Sequence, residues 1–252
     1  MAKQNSGDIL TGDWNPVIGC QRYSRGCRKC WFLDGIFPWQ QRLGNIPAEF
    51  GPNQPHVMEK RMTVESLMPK NGIVGVVQHG DLFWDQVKDA TIGRVLAIVD
   101  EVAMAKAKRG NTTKYVLWTK RAERMADVLT ARYPKGVPSY LACGVSIEDQ
   151  QTTDARLPHL LRIPGHRVVM IEPMLGAIDL AKYLDVGWVV LGSETGGEDA
   201  APLDLAWARV VRDQAVQAGV PFFIKQLGNN HKMPQRELNG RTWDQFPAGF
   251  CK

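Results

Sequence analysis

From residue 72 onward, short apolar runs alternate with stretches whose apolar positions recur at helical spacing. GIVGVVQH (72–79) is compact and β-branched, the pattern of a strand buried on both faces. TIGRVLAIVDEVAMAKAKRG (91–110) follows with helical periodicity and a glycine stop. The same alternation predicts strands at 114–120, 139–147, 166–174, 187–194 and 220–226. It predicts helices at 121–133, through DARLPHLLRI, briefly around DLAKYL, and at 203–219.

Six β-like runs separated by helical ones imply parallel strands joined by crossovers. A short strand near ILTG would make seven. Periodicity allows a closed or partial (β/α) barrel or an open doubly wound sheet. No linker composition divides residues 11–228, which read as one α/β domain. Residues 1–10 read as a flexible arm, and 229–252 as a polar, basic tail with scattered aromatics. KCWFLDGIFPWQQRLGN reads as an aromatic-rich helix interrupted at Pro38. The proline-punctuated stretch 44–71 reads as an irregular connection, of the kind that covers a substrate.

In parallel α/β folds the C-terminal strand ends carry the site. Here they deliver His79, Gly80 and Asp81, then Trp118, Thr119, Lys120 and Arg121, then Ser146, Glu148 and Asp149. Glu172, Ser193, Glu194, Lys225 and Gln226 complete the set. Packing alone does not explain polar residues directly after buried runs. Helix capping explains some of them, Ser146 and Asp149 foremost.

Composition narrows the class without naming a function. At 252 residues, 44% hydrophobic and 23% charged, the chain falls among ordinary soluble globular proteins. No run approaches the ~18 apolar residues of a membrane span, and MAKQNSGD is no signal sequence. These features predict a cytoplasmic protein without a membrane partner, whose five cysteines are thiols or metal ligands. A net charge of +5 favours a polyanionic partner such as nucleic acid, although many mildly basic proteins bind none. Neither a G-x4-GK-[ST] phosphate loop nor a G-x-S-x-G nucleophile elbow is present.

Chemistry concentrates at Cys20, Cys27 and Cys30, spaced C-x6-C-x2-C in a loop rich in Gly, Pro and Ser. Thiolates suit zinc or iron–sulfur clusters. Structural zinc takes four ligands, and no fourth Cys or His lies close in sequence. Cys143 or Cys251 could fold back to complete such a site, but Cys143 lies in an apolar strand and Cys251 beside the terminus. A 4Fe–4S cluster held by three cysteines would leave one iron open to a further ligand.

The run WNPVIGCQRYSRGCRKCW (14–31) resembles the three-cysteine motif of a phage-associated family, itself similar to the radical S-adenosylmethionine (SAM) enzymes. The resemblance continues through DLFWDQV (81–87), LWTKRAERM (117–125), GVSIEDQ (144–150), IEPMLG (171–176), LGSETG (191–196) and VPFFIKQLG (220–228). Two departures stand out. The first cysteine gap is longer than usual, and Lys29 precedes the last cysteine where an aromatic is typical. The resemblance implies a single-domain partial (β/α) barrel of radical SAM type. It also implies a 4Fe–4S cluster on Cys20, Cys27 and Cys30, with SAM on the open iron and a one-electron reductant as partner. By the same resemblance, Gly80 and Asp81 would take the SAM amino group, and Ser146, Ser193 and Glu194 its carboxylate and ribose. Trp31 would stack on adenine, while Glu172, Glu194 and Lys225 are the candidate catalytic residues.

A phage-like family with a basic surface points to a modified pyrimidine in DNA, rearranged by an isomerase in the infected host's cytoplasm. Lys120, Arg121, Lys225, Gln226, Lys232, Arg236 and Arg241 would contact the nucleic acid, and Trp118 would hold an extruded base. Two other classes compete. A zinc-stabilised nucleic-acid-binding module would use the cysteines and the basic tail. A magnesium-dependent nuclease or hydrolase would use Asp81, Glu172 and Glu194.

Overall fold

The computed structural model describes residues 9–195, 199–228 and 235–250. Seven parallel strands form one sheet in sequence order. They are β1 (Gly12–Trp14), β2 (Ile73–Val76), β3 (Lys114–Thr119), β4 (Leu141–Ile147), β5 (His166–Ile171), β6 (Trp188–Gly192) and β7 (Phe222–Gln226). Every neighbouring pair is parallel. The sheet curves into a half-barrel flanked by helices, the partial (β/α) barrel expected. The seventh strand starts at Gly12, just after ILT.

Helices α1 (Asp89–Ala107), α2 (Ala122–Arg132), α3 (Gln150–Leu161) and α4 (Leu205–Gln217) follow β2, β3, β4 and β6. The brief helix expected near DLAKYL does not form. Asp179 accepts a hydrogen bond from the Ala181 amide (2.9 Å), and Tyr183 closes a turn on Leu180 (2.7 Å). Such local side-chain bonding competes with helix. Pro38 also fails to interrupt its helix: a π-helical turn, Trp31–Ile36, runs into an α-helix, Phe37–Arg42. Pro38 sits in the first turn of the second part, where no amide is needed.

Alternation within the strands divides the core in two. Val74, Val76, Tyr115, Leu117, Val145, Val169, Ile171, Val189 and Leu191 face the helices. Ile73, Val116, Ala142, Val168, Met170, Trp188, Val190 and Phe223 face inward with Ile9 and Phe250. The chain after Arg236 supplies much of this inner packing. It pairs with β7 through Trp243 O and the Ile224 amide (2.9 Å), then sets Phe246 and Phe250 against Trp188. Covering β7 also hides an edge that would otherwise template another strand. No helix among the described residues is long and apolar enough to cross a membrane.

The connection at 44–71 braces the cysteine loop and contributes no residue to the cavity beneath that loop. His56–Val57 pairs antiparallel with Val17–Ile18, and the Cys20 amide donates to Pro52 O at 2.8 Å. Gly19, at φ 98°, passes so close that a Cβ would stand 2.0 Å from Gln54 O. Phe250→Ala should destabilise the fold by about 3–5 kcal/mol, because a fully buried ring is deleted. Urea denaturation measures this, and an unchanged midpoint would show that the C-terminal segment does not close the half-barrel.

Candidate functional site

The cysteine loop lies across the C-terminal strand ends and encloses a cavity of about 720 Å³. That volume suits a cofactor or small substrate. Its wall brings together Cys20, Cys27, Cys30, Trp31, Gly80, Asp81, Trp118, Lys120, Arg121, Ser146, Glu172, Ser193, Glu194 and Lys225. Residues up to 205 positions apart in sequence thus meet (Cys20 to Lys225) because parallel topology collects every strand's carboxyl end on one side.

The loop is held there by Glu148, to which the sequence assigned no role beyond its place at a strand end. This carboxylate is fully buried. It accepts hydrogen bonds from the Ser24 hydroxyl, the Gly26 amide (2.8 Å) and Lys120 Nζ (2.8 Å). Arg156 Nη1 adds a longer contact at 3.4 Å. Burial raises the carboxyl pKa, but Lys120 and the other donors outweigh it and bring it down to about 2. Gly26 has no substitute: a Cβ would fall 2.7 Å from Glu148 Cδ. A second clamp joins Arg28 to Glu194 at 3.0 Å.

Cys27 lies between these clamps in the chain, with Cys20 before and Cys30 after them. Cys27 ends the tight turn Arg25–Cys27, and Cys30 caps the π-helical turn. Burial foremost, with Asp81 and the other two cysteines adding to it, pushes the Cys20 thiol up to about 12 against the lowering effect of Arg121. Cys30 is raised by burial as well. Among the described residues, no three His, Cys, Asp or Glu side chains are grouped to hold one metal ion. A zinc ion needs ligands converging at about 2.0–2.3 Å. A cluster takes each thiolate on a separate iron, and three thiols lining one cavity fit that donor set. Cys143 is buried in β4, and Cys251 lies outside the described residues.

Several expected contacts are already occupied. Asp81 is buried and accepts from Thr119 Oγ1 (2.7 Å), the Phe83 amide (3.0 Å) and Arg121 Nη1 (2.8 Å). It is therefore tied to Arg121 rather than presented to an amino group. Arg121 is buried too and stacks on Tyr23 at 4.7 Å, so it is no surface contact for phosphate. Lys120 is held by Glu148. Lys225 grips both oxygens of Glu172 at 2.8 and 2.6 Å, and buried Gln226 donates to the same carboxylate at 2.9 Å. Gly192 leaves the room for this approach. Ser193 donates to Gly228 O at 2.7 Å, whereas Ser146 lines the cavity.

Gly80 serves the loop's close approach, since a Cβ there would stand 2.7 Å from Gly19 O. Trp31 stands at the rim, 55% exposed. In the tail, Arg236 bonds Ile224 O (2.7 Å) over the Phe223 ring, and Arg241 lies over Trp243 at 4.2 Å. Neither lines the cavity, and Lys232 lies outside the described residues.

A carboxyl whose pKa falls from 4.5 to about 2 on folding contributes roughly 3 kcal/mol at neutral pH. The sign follows from the lowered value: the contribution is present above about 4.5 and disappears as pH falls towards about 2. Glu148→Gln should therefore cost about 3 kcal/mol at pH 7 and flatten the acid limb of the stability curve. Equal acid limbs in the two proteins would remove Glu148 as the anchor.

No curated protein matches this chain, and no solved structure does. Residues 9–247, from the inner-face Ile9 to the segment that covers β7, match a protein family described as a protein of unknown function, DUF5131. That match takes in the cysteine loop and every strand of the half-barrel, and the chain belongs to this family.

Proposed function

We propose that the chain is a radical SAM enzyme whose cluster is held by Cys20, Cys27 and Cys30. The observation that carries this reading is the gathering of all three thiols on one cavity at the mouth of a parallel half-barrel. A cluster held there would supply, once given one electron by an external reductant, the reductive cleavage of SAM to methionine and a 5′-deoxyadenosyl radical able to take a hydrogen atom from the substrate. The chain's task is then to hold the partners and exclude water. Glu148 and Glu194 fix the loop that carries the cysteines from two sides. Ser146 offers an uncommitted hydroxyl towards the cavity. Glu172, charge-paired with Lys225, supplies an acceptor beside a donor for the polar part of the substrate. Trp118 supplies an aromatic face.

The finer part of the proposal is that the substrate is a modified pyrimidine in DNA and the reaction an isomerisation. The aromatic face that Trp118 presents within the cavity supports it.

Anaerobic reconstitution with iron and sulfide should give brown protein with broad visible absorbance. Dithionite and SAM should then yield 5′-deoxyadenosine. Cys20→Ala, Cys27→Ala and Cys30→Ala should each lose both properties. Protein that takes up stoichiometric zinc, no iron, and never cleaves SAM would sink the reading.

A further inference from the structure

In the wall of the same cavity, one side chain has no structural role that accounts for its position. Gln78 follows Val77, a β-branched residue at φ 56°. Val77 itself is buried, and its amide donates to Trp14 O at 2.8 Å, which holds the bend in place. Bulky L-residues are rarely found in this region, and outliers of this kind gather where a site imposes them. The bend turns Gln78 back along the inner face of β2. There it lies over Gly75, where a Cβ would stand 2.6 Å from Gln78 Cγ and 2.7 Å from Cδ. The amide Nε2 that arrives at this position is buried without a hydrogen-bond partner. Buried amides are rarely left so unless something else satisfies them.

Beside it, on β3, Trp118 lies across Gly144, whose missing Cβ would be only 2.0 Å from the indole. One strand thus supplies a flat aromatic surface and its neighbour an unsatisfied amide, both lining the same wall. Two glycines, one under each side chain, leave room for the arrangement.

We propose that Gln78 is a specificity-determining residue that reads the hydrogen-bonding edge of a nucleobase stacked on Trp118. A carboxamide presents a donor and an acceptor in one plane, which matches the adjacent acceptor and donor of a base edge. A purely aliphatic ligand would leave the amide unpaired, and a ligand with only acceptors or only donors would use half of it. The base belongs to the substrate, not to the adenine of SAM, and this assignment rests on the nucleobase part of the proposed function.

The test is calorimetric titration of the reconstituted, full-length protein with each of the four deoxynucleosides and, separately, with SAM. Gln78→Leu should weaken the preferred deoxynucleoside about tenfold, the value of one hydrogen bond. Trp118→Leu should weaken all four deoxynucleosides. In Gln78→Leu the loss of affinity should fall on the deoxynucleoside and not on SAM. Unchanged deoxynucleoside affinity in Gln78→Leu would overturn the proposal. So would absence of binding by any deoxynucleoside, or a loss confined to SAM. Failure of SAM cleavage with nucleoside discrimination intact would instead remove the radical reading and leave Gln78 in its role.

Discussion

The site depends on one buried carboxylate. Glu148 sits at the end of β4 with no exposure and satisfies donors from both the cysteine loop and the barrel. Without a charge there, Ser24 and the Gly26 amide would face a cation, Lys120, across the same gap. Attaching a polar loop to an apolar barrel by buried charge is expensive in desolvation unless every donor is placed. The low pKa of Glu148 shows that here the donors outweigh burial. Gly26 is the sequence's contribution to that bargain, because any side chain would collide with the carboxylate.

The anchor works because the half-barrel's inner face changes character along its axis. At the N-terminal end it is closed by Ile9, Trp188, Phe223 and Phe250. Towards the C-terminal end the inward positions become Gly144, Ser146, Glu172, Gly192 and Lys225. Parallel strands place this gradient in register around the curve, so one end is packed solid and the other is hollow and polar. The chain after Arg236 is part of that division, since its aromatics fill the closed end.

Much of this was legible in the sequence, for identifiable reasons. Buried parallel strands announce themselves as unbroken apolar runs, and those of β2 to β7 each appear within a few residues of their true bounds. Polar residues just beyond such runs had to gather at one mouth. Pairing was not legible. Asp81 with Arg121, Glu148 with Lys120, and Glu172 with Lys225 join different strands, and nothing in a linear pattern states which charge finds which. Arg121 therefore reads as a phosphate contact in the sequence, whereas in the fold it is buried against Asp81. Gln78 escaped notice for another reason. Its inward turn depends on the backbone at Val77, and a valine gives no sign of a positive φ.

These pairings change what the net charge means. Lys120, Arg121 and Lys225 would have made the cavity wall strongly positive, but each is neutralised within 3 Å by a carboxylate. The interior field is therefore set by short, oriented pairs rather than by an excess of one sign. Outside, the balance differs: no acidic residue occurs between Asp13 and Asp34, while Arg22, Arg25, Arg28 and Lys29 do. Arg22 is turned onto the loop's own carbonyls and Asp34, whereas Arg25 remains largely in solvent. Screening leaves such exposed charge a reach of about 8–10 Å at physiological salt. Exposed charge of this kind acts on the outer surface of the loop, whereas the nearly neutral interior is governed by its own paired groups. There, a wrongly paired hydrogen bond costs more than a distant charge can repay.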